Sequence, residues 1–168
     1  QGTPATDGIR IHGCRVATID NCVIRNCKRG VLVEPTKGVY CPQMRGCSVL
    51  GCDVGIEIKN ATTVCCFRAD GCEIIGGRIG VQLTGWKRGA VFTGVCIEGQ
   101  SERALSMTDA WATLIGSYIE TNGPIPRAWL KDSSLTGLDT TCGNITHNSA
   151  SRVDWLGQNN TPYTLAYP

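Results

Sequence analysis

Near-copies of one short phrase recur along this chain and constrain its fold more than any other feature. Residues 21–34 read NCVIRNCKRGVLVE, residues 46–59 read GCSVLGCDVGIEIK, and residues 71–84 read GCEIIGGRIGVQLT. A looser copy, GVCIEGQSERALSMT, spans 94–108; GSYIETNG opens another at 116, and the half-copy GIRIH stands at 8–12. The starts are 25, 25, 23 and 22 residues apart, a spacing typical of stacked repeat architectures.

Laid over one another, the copies form columns. Cys22, Cys47, Cys72, Val95 and Ser117 make one; Ile24, Val49, Ile74, Ile97 and Ile119 make the next. After a turn rich in Gly and Asn come Ile9, Val31, Ile56, Val81 and Leu105, then Ile11, Val33, Ile58, Leu83 and Met107. Polar residues alternate with them. A period of two means short strands with one face buried. Gly8, Gly30, Gly55 and Gly80, with Ala104 in the same place, open the second strand, where a side chain would obstruct the bend.

A unit this short cannot bury its apolar face alone and must stack on its neighbours. The expected fold is all-β: a right-handed parallel β-helix of about five to six turns, one copy per turn, with rungs about 4.8 Å apart. A leucine-rich solenoid lacks its LxxLxLxxN signature here, and a β-sandwich does not explain in-register columns. The helix is expected over residues 1–122. Residues 123–168 are read as a last partial turn and a C-terminal cap or subunit-contact segment. Within it RAWLK, 127–131, forms one more strand with Ala128 and Leu130 inward and Trp129 outward.

Composition closes off several functions. Gly makes up 21 of 168 residues, charged residues are 18%, and the branched aliphatics are plentiful, which excludes disorder. A net charge of +2 gives no basic footprint for nucleic acid. No apolar run is long enough to span a membrane. The opening QGTPATDG has no signal-peptide pattern and no Met, so the chain reads as a processed product or an excised piece. The Cys count is eleven, an odd number, with no CxxC pair; the two histidines, His12 and His147, lie far apart. No metal and no cofactor are expected. The cysteines read instead as small buried hydrophobes kept reduced.

TDGIRIHGCRVATIDNCVIRNCKRGV and GCSVLGCDVGIEI resemble the coils of pectate-lyase-like parallel β-helices found in bacteriophage tailspikes and tail-associated depolymerases. The resemblance covers residues 7–120. It implies a homotrimer of side-by-side β-helices in the virion tail, assembled in the bacterial cytoplasm with reduced thiols. Its partners would be host surface polysaccharide and other virion tail proteins. Family members usually have longer helices, so this chain would be a fragment or a small accessory spike.

Chemistry in such a tube belongs to outward columns. Glu98 and Glu120 fall on neighbouring rungs of the column Arg25, Leu50, Ile75, Glu98, Glu120, and Glu73 lies two residues earlier. Paired carboxylates could serve a glycoside hydrolase. The same column carries Leu50 and Ile75 outward, with Leu32 and Trp129 on another, which suggests a subunit interface. Trp86 and Trp111, in loops of successive copies, could stack on sugar rings, with Asp109, Arg88 and Lys87 bonding the hydroxyls. The functions carried forward are a polysaccharide-recognising tail component, a depolymerase (hydrolase before lyase, since no outward column holds three acids), and a purely structural virion module.

Overall fold

The computed structural model describes residues 6–13, 16–34, 41–59, 66–121, 127–142, 144–156 and 164–166. Among these residues there is no helix, and strands follow one another in cycles of three. β1 (Asp7–Ile11) comes first. Then come β2 (Thr18–Asp20), β3 (Val23–Arg25) and β4 (Arg29–Val33), followed by β5 (Gln43–Arg45), β6 (Ser48–Leu50) and β7 (Val54–Lys59). The third cycle is β8 (Phe67–Asp70), β9 (Glu73–Ile75) and β10 (Ile79–Thr84), the fourth β11 (Ala90–Thr93), β12 (Cys96–Gln100) and β13 (Arg103–Thr108). β14 (Trp111–Ile115), β15 (Tyr118–Thr121) and β16 (Ala128–Lys131) precede β17 (Ser134–Leu138), β18 (Thr141–Cys142) and β19 (Ile145–His147). β20 (Arg152–Leu156) and β21 (Thr164–Ala166) come last.

All pairing is parallel and runs from one cycle to the next. Sheet A has the order β1-β4-β7-β10-β13-β16-β19-β21, sheet B β2-β5-β8-β11-β14-β17-β20, and sheet C β3-β6-β9-β12-β15-β18. The chain is a parallel β-solenoid, as the repeats predict. The expected boundary at 122/123 falls outside the described residues. Beyond it β16 to β21 stack on the same three sheets, and β16 points Ala128 and Leu130 inward as expected.

The columns hold in register. Ile9, Val31, Ile56, Val81 and Leu105 are partners in sequence, as are Ile11, Val33, Ile58, Leu83 and Met107. Ile24, Val49, Ile74, Ile97 and Ile119 stack in sheet C. Nearly all of these are sealed from water, each worth about 1.5–3 kcal/mol of apolar burial. Sheet B supplies a third wall, with Ile19, Met44, Ala69, Phe92 and Leu114 in line. At its C-terminal end Gly137 faces Trp155, and a Cβ on Gly137 would lie 2.5 Å from the indole.

The glycine column is required by space. A Cβ on Gly30 would sit 2.4 Å from Val49 Cγ1 and 2.6 Å from the Gly55 carbonyl oxygen. The corners require a different property. Asn21, Gly46, Gly71, Gly94, Gly116 and Asp139 hold the same corner, all with φ between 46° and 58°. That left-handed conformation is open to Gly and accessible to Asn and Asp.

At most of these corners the residue after the left-handed one turns inward, and where it is Cys, Ser or Thr its chemistry is specific. The thiols of Cys22, Cys27, Cys47, Cys52 and Cys72 donate to the carbonyls two residues back, at 3.3, 3.2, 3.3, 3.7 and 3.4 Å. Further along, the hydroxyls of Ser117, Ser133 and Thr140 make the same bond at 3.1, 2.7 and 3.0 Å. Those hydroxyls also accept backbone N–H groups from the preceding rung: Ser117 from Val95, Ser133 from Ala110, Thr140 from Ser117. The corner cysteines are therefore hydrogen-bonding members of the wall as well as small hydrophobes.

Outside, charges lock rung to rung. Arg29 bridges Asp7 at 2.6 Å and Glu57 at 3.2 Å, while Arg78 bridges Asp53 at 2.9 Å and Glu102 at 2.7 Å. Arg45 holds Asp20 through both carboxylate oxygens, at 2.9 and 3.1 Å.

Candidate functional site

The alternation of sheet B places its outer face. In β14, Ala112 and Leu114 point inward, which turns Trp111, Thr113 and Ile115 outward. Trp111 is 53% exposed, the opening residue of its strand rather than a loop residue as the sequence suggests. Its N–H donates to the Trp86 carbonyl at 2.9 Å, so the two tryptophans do occupy neighbouring rungs. Their side chains diverge. Trp86 is fully buried, and its Nε1 donates to the Gly89 carbonyl at 2.8 Å, closing the 85–89 turn. It follows the left-handed Gly85, so it takes the inward corner position held by the small Ala110 and Ser133 in later rungs. The expectation that Trp86 offers an aromatic face to a sugar is corrected: its ring is core.

Around Trp111 the surface is polar. Asp109, in a left-handed corner, pairs with Lys87 at 2.8 Å; Arg88 is exposed on the same turn as Lys87. Ser134 is the register partner of Trp111, and Arg152 follows on the next rung, paired with Asp154 at 2.6 Å. An exposed indole bordered by hydroxyls and fork-shaped donors can stack on an apolar sugar face while the neighbours bond its hydroxyls.

A second cluster occupies the outer face of sheet C. Glu73, Cys96 and Tyr118 are consecutive partners, and Ile75 partners Glu98. Ile97 pairs with Ile119, which sets Glu98 beside Glu120 on the adjacent rung; the ladder slips just beyond them, before Gln100, where Gly99 has φ of 74°. Ile75, Glu98, Gly99 and Glu120 line one open depression of about 310 Å³. The Tyr118 hydroxyl donates to the Glu120 carboxylate, and the Ser48 hydroxyl donates to Glu73 at 3.3 Å. Burial, then the charges of Glu98, Glu73 and Glu120, push the Cys96 thiol above its ordinary range. The hydrogen bond to Glu120 raises the Tyr118 phenol likewise. The three candidate glutamates are thus gathered around one thiol. Among the described residues no group of three or more His, Cys, Asp or Glu is arranged to hold a metal ion.

The expected interface residues divide between two sheets. Leu50 and Ile75 are half-buried partners on sheet C, next to Val23, which is 60% exposed. Trp129 lies on sheet A under the Arg103 guanidinium, 4.8 Å from its ring centre. Leu32 is corrected: it is fully buried on sheet A, between Arg10 and Glu57 in register. The ion pairs Arg10–Glu34, at 2.6 Å, and Arg29–Glu57 flank it. The inter-rung charge ladders and the corner thiol bonds escape a reading of the sequence by columns of like residues. Their signal is the pairing of opposite charges about 25 residues apart, as in Asp20 and Arg45.

No protein-family model, no curated protein and no solved structure matches the chain.

Proposed function

We propose that this solenoid is a bacteriophage tail component, a spike or fibre segment that recognises a host surface polysaccharide through the outer face of sheet B. The observation that carries the reading is Trp111, 53% exposed on the outer face of sheet B, whose neighbours are Thr113, Ser134 and paired Lys, Arg and Asp side chains. What supports a sugar-binding reading is the chemistry of the spot: an accessible indole face for stacking, with hydroxyl and charged donors beside it. The resemblance of GIRIHGCRVATIDNCVIRNC to tailspike coils supplies the biological setting. In this reading three copies lie side by side, with Leu50, Ile75 and Trp129 at their contacts, and other tail proteins hold the trimer in the virion.

Binding of the purified chain to polysaccharide from bacterial surfaces tests the proposal. Trp111→Ala should weaken binding at least tenfold while leaving the melting temperature unchanged, because the ring is outside the core. Full binding by that variant would remove the site, and no binding to any surface polysaccharide would remove the function.

A hydrolase is the second reading, favoured by the depression that Glu98 and Glu120 share. One carboxyl would protonate the glycosidic oxygen while the other attacks the sugar or activates water. Release of reducing ends, lost in Glu98→Gln and in Glu120→Gln, would establish it over simple binding.

A further inference from the structure

Eleven cysteines are more than the corners use, and among the described ones a pair stands outside the inward corner positions. Cys41 and Cys66 stand 25 residues apart, and their Sγ atoms are 3.6 Å from one another. Gln43 and Arg68 are register partners in sheet B, so the two cysteines, each two residues earlier, lie on adjacent rungs. Rungs of a parallel sheet are about 4.8 Å apart, within the Cα separation that a disulfide spans. Cys41 has φ of 47°, a left-handed residue at the entry to β5. Both thiols are half-buried, accessible to a small oxidant at the surface. The corner thiols differ: they donate to carbonyls of the wall, whereas Cys66 donates to the sulfur of Cys41. Burial pushes the Cys66 thiol up, as does its contact with Cys41, while the neighbouring Arg68 guanidinium pulls it down and would stabilise the thiolate.

We propose that Cys41 and Cys66 close a disulfide between adjacent rungs when the protein meets a disulfide oxidant such as glutathione disulfide. The Cys66 thiolate attacks one sulfur of glutathione disulfide and displaces a glutathione thiolate. The Cys41 thiolate then attacks the Cys66 sulfur of the mixed disulfide and displaces the second. Two protein thiols and one glutathione disulfide become one protein disulfide and two glutathione thiols, which take up the two protons. The bond would staple two turns that hydrogen bonds otherwise hold, and would do so once the protein leaves the reducing compartment where it folds. This inference is independent of any ligand on the outer faces.

The test uses the full chain, purified reduced and then equilibrated with glutathione disulfide. After acid quenching and alkylation, non-reducing peptide mapping should find the Cys41 peptide joined to the Cys66 peptide, with the loss of two hydrogens. A Cys65→Ser background assigns the sulfur. Cys41→Ser should stop the reaction at the mixed disulfide, so that the Cys66 peptide carries one glutathione. Closing a 25-residue loop should raise the melting temperature by roughly 5–10 °C, reversed by dithiothreitol and absent in Cys41→Ser. A different predominant cysteine pair would overturn the proposal. So would thiols that stay free, or a thermal shift that survives Cys41→Ser.

Discussion

The first turns of the solenoid and the last solve one backbone problem with different atoms. Between Cys22 and Cys72 the inward corner residue is cysteine; from Ser117 to Thr140 it is serine or threonine. Both kinds reach the carbonyl two residues back. The hydroxyls do so at 2.7–3.1 Å and also accept an N–H from the rung before, as the Cys52 sulfur does from Cys27 at 3.5 Å. The thiols bond at 3.2–3.7 Å, weaker contacts from a larger and more apolar atom. The corner thus needs a short side chain with both a hydrogen and a lone pair, and the choice of atom divides its worth between packing and hydrogen bonding. Cys142 shows the opposite limit. It ends the aliphatic stack beneath Ile119 and serves as a hydrophobe.

The outer surface changes along with the corners. One column of sheet B runs Asp20, Arg45, Asp70, Thr93, Ile115, Leu138, Leu156. It begins as an ion-paired ladder and finishes as aliphatics, Ile115 and Leu138 half-buried and Leu156 61% exposed. The first half is built to stand in water, while the second carries the apolar residues and the indole of the proposed glycan face.

The largest effect that would sharpen this contrast is alkaline. Burial holds the Cys142 thiol up at about 12 against an ordinary 9.0, so the fold favours the protonated form. Its contribution to stability is complete below about pH 9 and is lost as pH climbs towards 12, about 4 kcal/mol in all. Urea midpoints measured across that range should fall steeply, and Cys142→Val should flatten the fall. An unchanged slope in that variant would mean the burial of this thiol is not what couples folding to pH.

Next in size is Ser117→Val. It removes the donor to the Phe92 and Ile115 carbonyls and the acceptor for the Val95 N–H. Stranding buried groups should cost about 2–3 kcal/mol, a drop of about 5–10 °C in melting temperature. A loss under about 0.5 kcal/mol would show that the hydroxyl corner is a matter of volume alone. The smallest effect compares Cys47→Ser with Cys47→Ala. Serine keeps bonds to the Ile19 and Arg45 carbonyls that alanine cannot make, and should be the more stable by about 1 kcal/mol. Equal stability would confine hydrogen bonding at the corners to the C-terminal turns.

Much of this architecture can be read from the chain. The columns through Val31, Ile56 and Val81 are legible because strand period and repeat length agree, and one misplaced residue would turn a whole strand inside out. Sheet B is harder to see. Ile19, Met44, Ala69, Phe92 and Leu114 vary widely in volume, and only the filled layer is held constant. Trp86 is misread as surface because a corner reverses the in-out alternation that strands obey. The corner itself has a readable sign: Asn, Gly or Asp followed by Cys, Ser or Thr, as in Asn21-Cys22, Gly46-Cys47, Gly116-Ser117 and Asp139-Thr140. For the glutamates, the repeat itself places Glu98 and Glu120 on adjacent rungs, each following a register partner, Ile97 or Ile119; the slip beyond them at Gly99 leaves no sign in the columns.

The near-constant spacing of partners has a kinetic consequence. Up to β18 every rung docks on residues roughly two dozen positions earlier, so each added turn closes a loop of almost the same length and meets almost the same entropic toll. Only the last turn is shorter, with partners such as Ala128 and Ile145. Growth from a formed pair of turns should therefore advance like a zip, at a rate set by the first docking event and nearly indifferent to how many coils follow.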